Sequence, residues 1–222
     1  MSLFSPHIGS QMVDLGSALL LLTCFAIVAQ RRLSACVDLF AVQSVFLALT
    51  AVLVAFLTGI HHIYAAAALT VIIKAIVIPR ILKQVIVRLN VTRELGMNVN
   101  VPAGLLICGA LVMLAFFITQ PIIPLGFLLT RDSLAIALAI VLIGFFTMIA
   151  RKKAVTQVIG FLVMENGLFL GATAAAYGMP LIVELGVFFD VLVGALIIGI
   201  YTHRLQDTFD SVDTSKLTIL KE

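Results

Sequence analysis

The sequence predicts an all-α integral membrane protein of about seven transmembrane helices. Three observations carry that reading: apolar runs of spanning length recur along nearly the whole chain, charge is scarce, and basic residues gather in alternate loops. Of 222 residues, 62% are hydrophobic and 11% charged, and the mean hydropathy is +1.21. That leaves too little polar surface to wrap a water-soluble globule of this size.

Spans are expected at 12–29, 34–57, 63–82, 102–119, 132–150, 154–176 and 180–201, each near the roughly 17–25 residues that hydrocarbon requires. The first follows a short uncharged leader with no small-residue cleavage site before a soluble body, so it is expected to be retained rather than removed as a signal peptide. Arg31-Arg32 and then the Gly59–His62 turn bound the second span. Near the end of the third stands Pro79, beyond which Ile81, Val85, Ile86 and Leu89 alternate with Lys83, Gln84, Arg88 and Arg93. That mixture predicts a helical extension lying at the headgroups. The polar stretch from Lys83 to Asn100 and the Pro121/Pro124/Gly126 loop isolate the fourth span. Arg151-Lys152-Lys153 separates the fifth from the sixth, and Gly178-Met179-Pro180 the sixth from the seventh.

Orientation follows from the basic residues, because cytoplasmic loops collect Lys and Arg. Arg31, Arg32, Lys83, Arg88, Arg93, Arg151, Lys152, Lys153, Arg204, Lys216 and Lys221 fall on one side, and only Arg131 on the other. The N-terminus is therefore expected outside and the C-terminus in the cytoplasm. Topology also accounts for the net charge of +3. With no clustered aromatic and basic surface, a nucleic-acid partner is not expected.

A weak internal repeat divides the chain. Spans one to three and five to seven both read as a helix, a basic turn, a second helix with a mid-depth polar residue, an outer loop, and a third helix ending in Arg80 or Arg204. Three helices are an odd number, so a linker span is needed for the copies to run in the same direction. The expected organisation is a degenerate three-helix unit with a cytoplasmic helical extension at 1–94, a linker helix at 95–130, and a second three-helix unit with a cytoplasmic tail at 131–222. Parallel repeats of this kind are a known device of membrane transport proteins.

No catalytic or metal-binding set is legible. Cys24, Cys36 and Cys108 lie singly within apolar spans, the histidines lack ligand spacing, and neither a phosphate-binding glycine loop nor a nucleophile elbow is present. What remains is ionisable groups at membrane depth, which are costly when they face lipid and by default functional. Glu165, Asp190 and Lys74 each fall about halfway along a span and are the candidates for a proton relay. Glu184 and Asp38 lie nearer span ends, where snorkelling to headgroup water is the simpler account. Gln43 and Asn166 could join a relay or serve as interhelical hydrogen-bonding groups.

The run Arg151-Lys152-Lys153-Ala154-Val155-Thr156-Gln157-Val158-Ile159-Gly160-Phe161-Leu162-Val163-Met164-Glu165-Asn166-Gly167, continued by Asp190-Val191-Leu192-Val193-Gly194-Ala195 and His203-Arg204, resembles the small NuoK-type (4L) subunit of complex I and its relative, the Mrp antiporter C subunit. The doubled, seven-span layout resembles the hydrogenase-4 component E family, membrane subunits of group 4 NiFe hydrogenases of the formate hydrogenlyase kind. Aligning Ile159-Gly160 and Asn166 puts Leu162 where the small complex I subunit has its first buried Glu, with Glu165 one helical turn later. Asp190 stands at the second acid position.

The resemblance implies a non-catalytic membrane-arm subunit that passes or gates protons through Glu165 and Asp190. Lys74 is added by its depth alone. It also implies antiporter-like and NuoH-like membrane partners and a soluble hydrogenase arm in a bacterial or archaeal cytoplasmic membrane. No cofactor is expected in this chain; a NiFe centre and iron–sulfur clusters belong to the partner subunits. The alternatives are a subunit of a Mrp-type cation/proton antiporter, a structural adaptor in which the buried acids merely pair with neighbouring helices, and a stand-alone small-molecule carrier.

Overall fold

The computed structural model describes residues 6–88, 99–122 and 131–175. Within them the chain is all helical, and six helices are long and apolar enough to cross a membrane. They are α1 (Pro6–Ala29), α2 (Leu33–Thr58), a third span built from α3 (His62–Thr70), a π-helical segment (Val71–Val77) and α4 (Ile78–Arg88), then α5 (Val101–Thr119), α6 (Arg131–Ala150) and α7 (Ala154–Ala175). They coincide with the first six expected spans. The expected seventh span, with Glu184 and Asp190, lies outside the described residues.

Local signals explain the boundaries. Gly59 ends α2 with φ +72° while its N–H donates to Ala55 O. This is the left-handed cap that glycine adopts without a Cβ penalty. Pro102 begins α5 at a position where its missing N–H costs nothing. In the third span Pro79 follows directly after the helix has widened: the Ile78 N–H donates to Ile73 O, five residues back. Proline lacks the donor for a regular turn and crowds the carbonyl four residues earlier, so a π-helical turn before it lets the span continue.

The helices pack around one core, sequential neighbours antiparallel and α1 parallel to α6, which it meets near both ends. α1 lies against α2, α5 and α6, while α2 also touches α7 and the third span. Phe40, Leu47, Ile140, Ile143, Leu162 and Leu170 are enclosed at the centre. Small residues let α6 and α7 approach backbone to backbone. A Cβ built on Gly144 would stand 2.5 Å from Met164 N, and one on Gly160 2.9 Å from Met148 N. Such close approach is how apolar helices gain packing energy in lipid, where no hydrophobic force drives them together. Large apolar side chains point outward instead: Leu15, Leu49, Phe56, Leu106, Met113 and Phe117 are all exposed. That surface suits hydrocarbon and not water; the chain is a multi-pass membrane protein.

One expectation changes. The extension after Pro79 does not present its apolar face to headgroups, because Leu82, Val85 and Ile86 are buried, with α4 packed against α2. Arg80, Lys83 and Gln84 are exposed, and with them Val87 near the end of α4. Leu89 and Arg93 lie outside the described residues.

Candidate functional site

At mid-bundle, α2, the π-helical turn and α7 bring together four polar side chains, those of different units of the expected repeat standing 91 to 123 residues apart in sequence. Lys74 sits in the middle of the π-helical segment and is 3% exposed. Its Nζ stands 2.9 Å from Glu165 Oε1 on α7, and Glu165 is equally buried. The same Nζ donates to Asn166 Oδ1 at 3.3 Å. Asn166 Nδ2 donates in turn to Gln43 Oε1 at 3.2 Å and reaches Ser44 Oγ at 3.5 Å. Gln43 Nε2 donates to Leu20 O at 3.2 Å and to the Cys24 sulfur. The result is a continuous row from Glu165 through Lys74, Asn166 and Gln43 to the backbone of α1.

The electrostatics are those of a compensated pair. A lone charge at this depth is expensive, and an opposite charge in contact is what makes it tolerable. Glu165 is nevertheless incompletely satisfied. Oε1 meets Nζ as an ion pair without the alignment of a hydrogen bond, and among the described residues no hydrogen-bond donor serves Oε2. A carboxylate can accept up to four hydrogen bonds, so the described residues leave Glu165 with capacity to bind another donor or a proton.

Glu165, Lys74, Gln43 and Asn166 thus converge, the last two as members of the row and not as isolated packing groups. Asp38 does not join them: it pairs with Lys83 across α2 and α4, both exposed. Among the described residues no three His, Cys, Asp or Glu side chains are grouped to hold a metal ion. The three cysteines are buried and unbridged.

Two further polar constructions escaped the sequence reading. Ser17 Oγ donates to Ser133 Oγ at 2.9 Å, and Ser133 Oγ donates to Asp14 Oδ1 at 3.0 Å, linking α1 to α6 at the end away from the basic turns. Asp14 is the first acid in the chain and already lies inside an apolar run, a signal that was available. At the opposite end Arg151 is 2% exposed. Its Nη2 donates to Ile27 O, Val28 O and Gln30 O at 3.1, 3.1 and 2.9 Å. A helix leaves its last carbonyls without partners, so Arg151 caps α1 from the far end of α6, while counting for orientation as an ordinary loop charge.

Comparison with known proteins gives the chain its relatives. It is 36% identical over 214 residues, 96% of this chain and 97% of the relative, to the uncharacterized protein Rv0085 of Mycobacterium tuberculosis. It is 25% identical over 220 residues, 96% of this chain and 99% of the relative, to hydrogenase-4 component E of Escherichia coli K12, and equally so to that of Shigella flexneri. No family model and no solved structure matches it. Identity at that level along nearly the full length of both chains places this protein in one family with Rv0085 of Mycobacterium tuberculosis, a family of membrane proteins distantly related to hydrogenase-4 component E.

Proposed function

We propose that the chain is a non-catalytic membrane-arm subunit of a hydrogenase complex and that the Lys74–Glu165 pair, extended through Asn166 and Gln43, carries its part in proton transfer. The observation that carries this reading is the buried ion pair on a π-helical turn, with an acid that still has room for a proton. π-helical turns are frequent at functional sites. The end-to-end similarity to hydrogenase-4 component E supports the complex to which it belongs.

In this reading Asp190, about halfway along the expected seventh span, is a second proton-exchanging acid. The chain is two parallel NuoK-like units joined by α5, with the N-terminus outside and the C-terminus in the cytoplasm. Antiporter-like and NuoH-like subunits flank it, and the NiFe chemistry of a formate hydrogenlyase-type arm stays with the partners. Two features support the duplicated layout: α1 lies against α6, its counterpart, and α2 against α7.

A second reading has its own observation. Lys74 and Glu165 are paired inside one chain, as a purely structural adaptor would have them. Glu165→Gln and Asp190→Asn separate the two, since each nearly preserves shape and removes titration. The expected result is a complex that assembles, with hydrogenase subunits co-purifying on the tagged chain, but loses proton-coupled turnover. Full turnover in both variants would favour the adaptor, and co-purification with Mrp-type subunits alone would replace the hydrogenase assignment.

A further inference from the structure

We propose that Gln43 and Ser44 are positioning residues for Lys74: acting through Asn166, they fix which end of the Asn166 amide faces the ammonium and so hold Lys74 beside Glu165. The proposal rests on the proton-transfer reading above and deepens it, separating the pair that exchanges a proton from the side chains that aim it.

The direction of each hydrogen bond is the first argument. A backbone carbonyl accepts and cannot donate. Leu20 O receives Gln43 Nε2 at 3.2 Å, which turns the NH2 end of Gln43 towards α1 and leaves Oε1 facing Asn166. Ser44 Oγ gives its single proton to Phe40 O at 3.0 Å, a back-bond to the preceding turn, so towards Asn166 it too can only accept. Asn166 Nδ2 therefore meets two acceptors on α2, Gln43 Oε1 at 3.2 Å and Ser44 Oγ at 3.5 Å, and each takes one of its two N–H groups. Only one orientation of the amide satisfies this arrangement, with Oδ1 directed at Lys74 Nζ, 3.3 Å away. Flipped end for end, the amide would set N–H against ammonium and oxygen against oxygen. Gln43, Ser44 and Asn166 are all enclosed, so bulk water cannot relieve a wrong orientation.

The geometry at Lys74 is the second argument. Nζ donates an aligned hydrogen bond to Asn166 Oδ1, whereas Glu165 Oε1 receives a charge contact at 2.9 Å without that alignment. The Asn166 oxygen thus helps to set where the ammonium stands, and a displacement of that oxygen moves the charge beside the acid. Side-chain amides are not among the groups that act as general acids or bases. Gln43 and Asn166 therefore pass no proton themselves; their part in the row, with Ser44, is orientation, anchored on the backbone carbonyls of Leu20 and Phe40.

The test uses the full chain. With its side-chain amides isotope-labelled for nuclear magnetic resonance, the Asn166 NH2 signal, identified by its loss in Asn166→Asp, is expected to show stronger proton contacts with Ser44 than with the ε-methylene of Lys74. The reverse ranking overturns the proposal whether or not any variant assembles. In the complex, Gln43→Met with Ser44→Ala removes both acceptors and is expected to lower proton-coupled turnover about tenfold, since misplacing a reacting group by about an ångström can cost about a hundredfold. Adding Asn166→Asp, which presents oxygen to Lys74 whichever way it turns, is expected to recover most of that loss. A packing role for Gln43 and Ser44 gives no such recovery, so a loss that Asn166→Asp leaves unrelieved overturns the proposal. Normal turnover in the double variant while Glu165→Gln is impaired also overturns it and leaves the proposed function standing; normal turnover in Glu165→Gln removes both.

Discussion

Lys74 and Glu165 meet at 2.9 Å although one belongs to the third span and the other to α7, and both are shut off from the surface. Removing one member of such a pair strands the other. Lys74→Met is therefore expected to destabilise the folded chain by about 3–5 kcal/mol, and Lys74→Met combined with Glu165→Leu by much less. Unfolding of the purified chain in mixed micelles, read across the four members of the cycle, measures the coupling; additive losses would mean that the two charges do not sense each other.

Asn166 is the joint of the row, accepting from Lys74 and donating to Gln43. Asn166→Leu fills the space but leaves the Gln43 carbonyl and one ammonium proton without partners. Each orphaned group costs about 1–3 kcal/mol, so this variant should unfold more readily than Asn166→Asp, which keeps an acceptor for Lys74. Hydrogen exchange at the side-chain amide of Gln43 should also accelerate in the leucine variant.

Much of the scaffold could be read in advance, because length, hydropathy and basic turns report directly on what a bilayer demands. Six spans fall where apolar runs and loop charges put them. Within the site, depth alone singled out Glu165 and Lys74. Which neighbours they meet depends on helix rotation, and the helices are apolar nearly all the way round, so periodicity does not say which face turns inward. Gln43 and Asn166 were for that reason equivocal. Asp14 was passed over, and Arg151 was counted only as a loop charge, because a position near a span end looks solvated until tertiary packing closes over it, as it does over Arg151.

The α6–α7 contact gives a third prediction. A methyl at Gly144 would collide with the backbone of Met164, directly before Glu165. Backbone atoms cannot yield as a flexible side chain can, so Gly144→Ala should push the helices apart and displace the acid from Lys74. Cysteine cross-linking between the two helices should slow, with a stability loss of about 1–3 kcal/mol typical of overpacking. Gly109→Ala, which meets nothing, is the control and should be neutral.

Arg151 supplies the fourth. Arg151→Ala removes the guanidinium from three carbonyls at the end of α1, of which Ile27 O keeps the Gln30 N–H, and should cost about 1–3 kcal/mol. Arg151→Lys should recover only part of it, since a compact ammonium lacks the planar fork of guanidinium. Thermal unfolding of the three proteins should rank them Arg, Lys, Ala; equal stabilities would refute the cap.

That same clamp has a bearing on how the protein is made. The carbonyls at the end of α1 leave the ribosome 121 to 124 residues before the guanidinium that satisfies them. Until α6 is in place, Ile27 O keeps the Gln30 N–H, while the carbonyls of Val28 and Gln30 lack the guanidinium that later serves them. A chain that ends before position 151 therefore leaves the end of α1 without this donor, and the full chain encloses it.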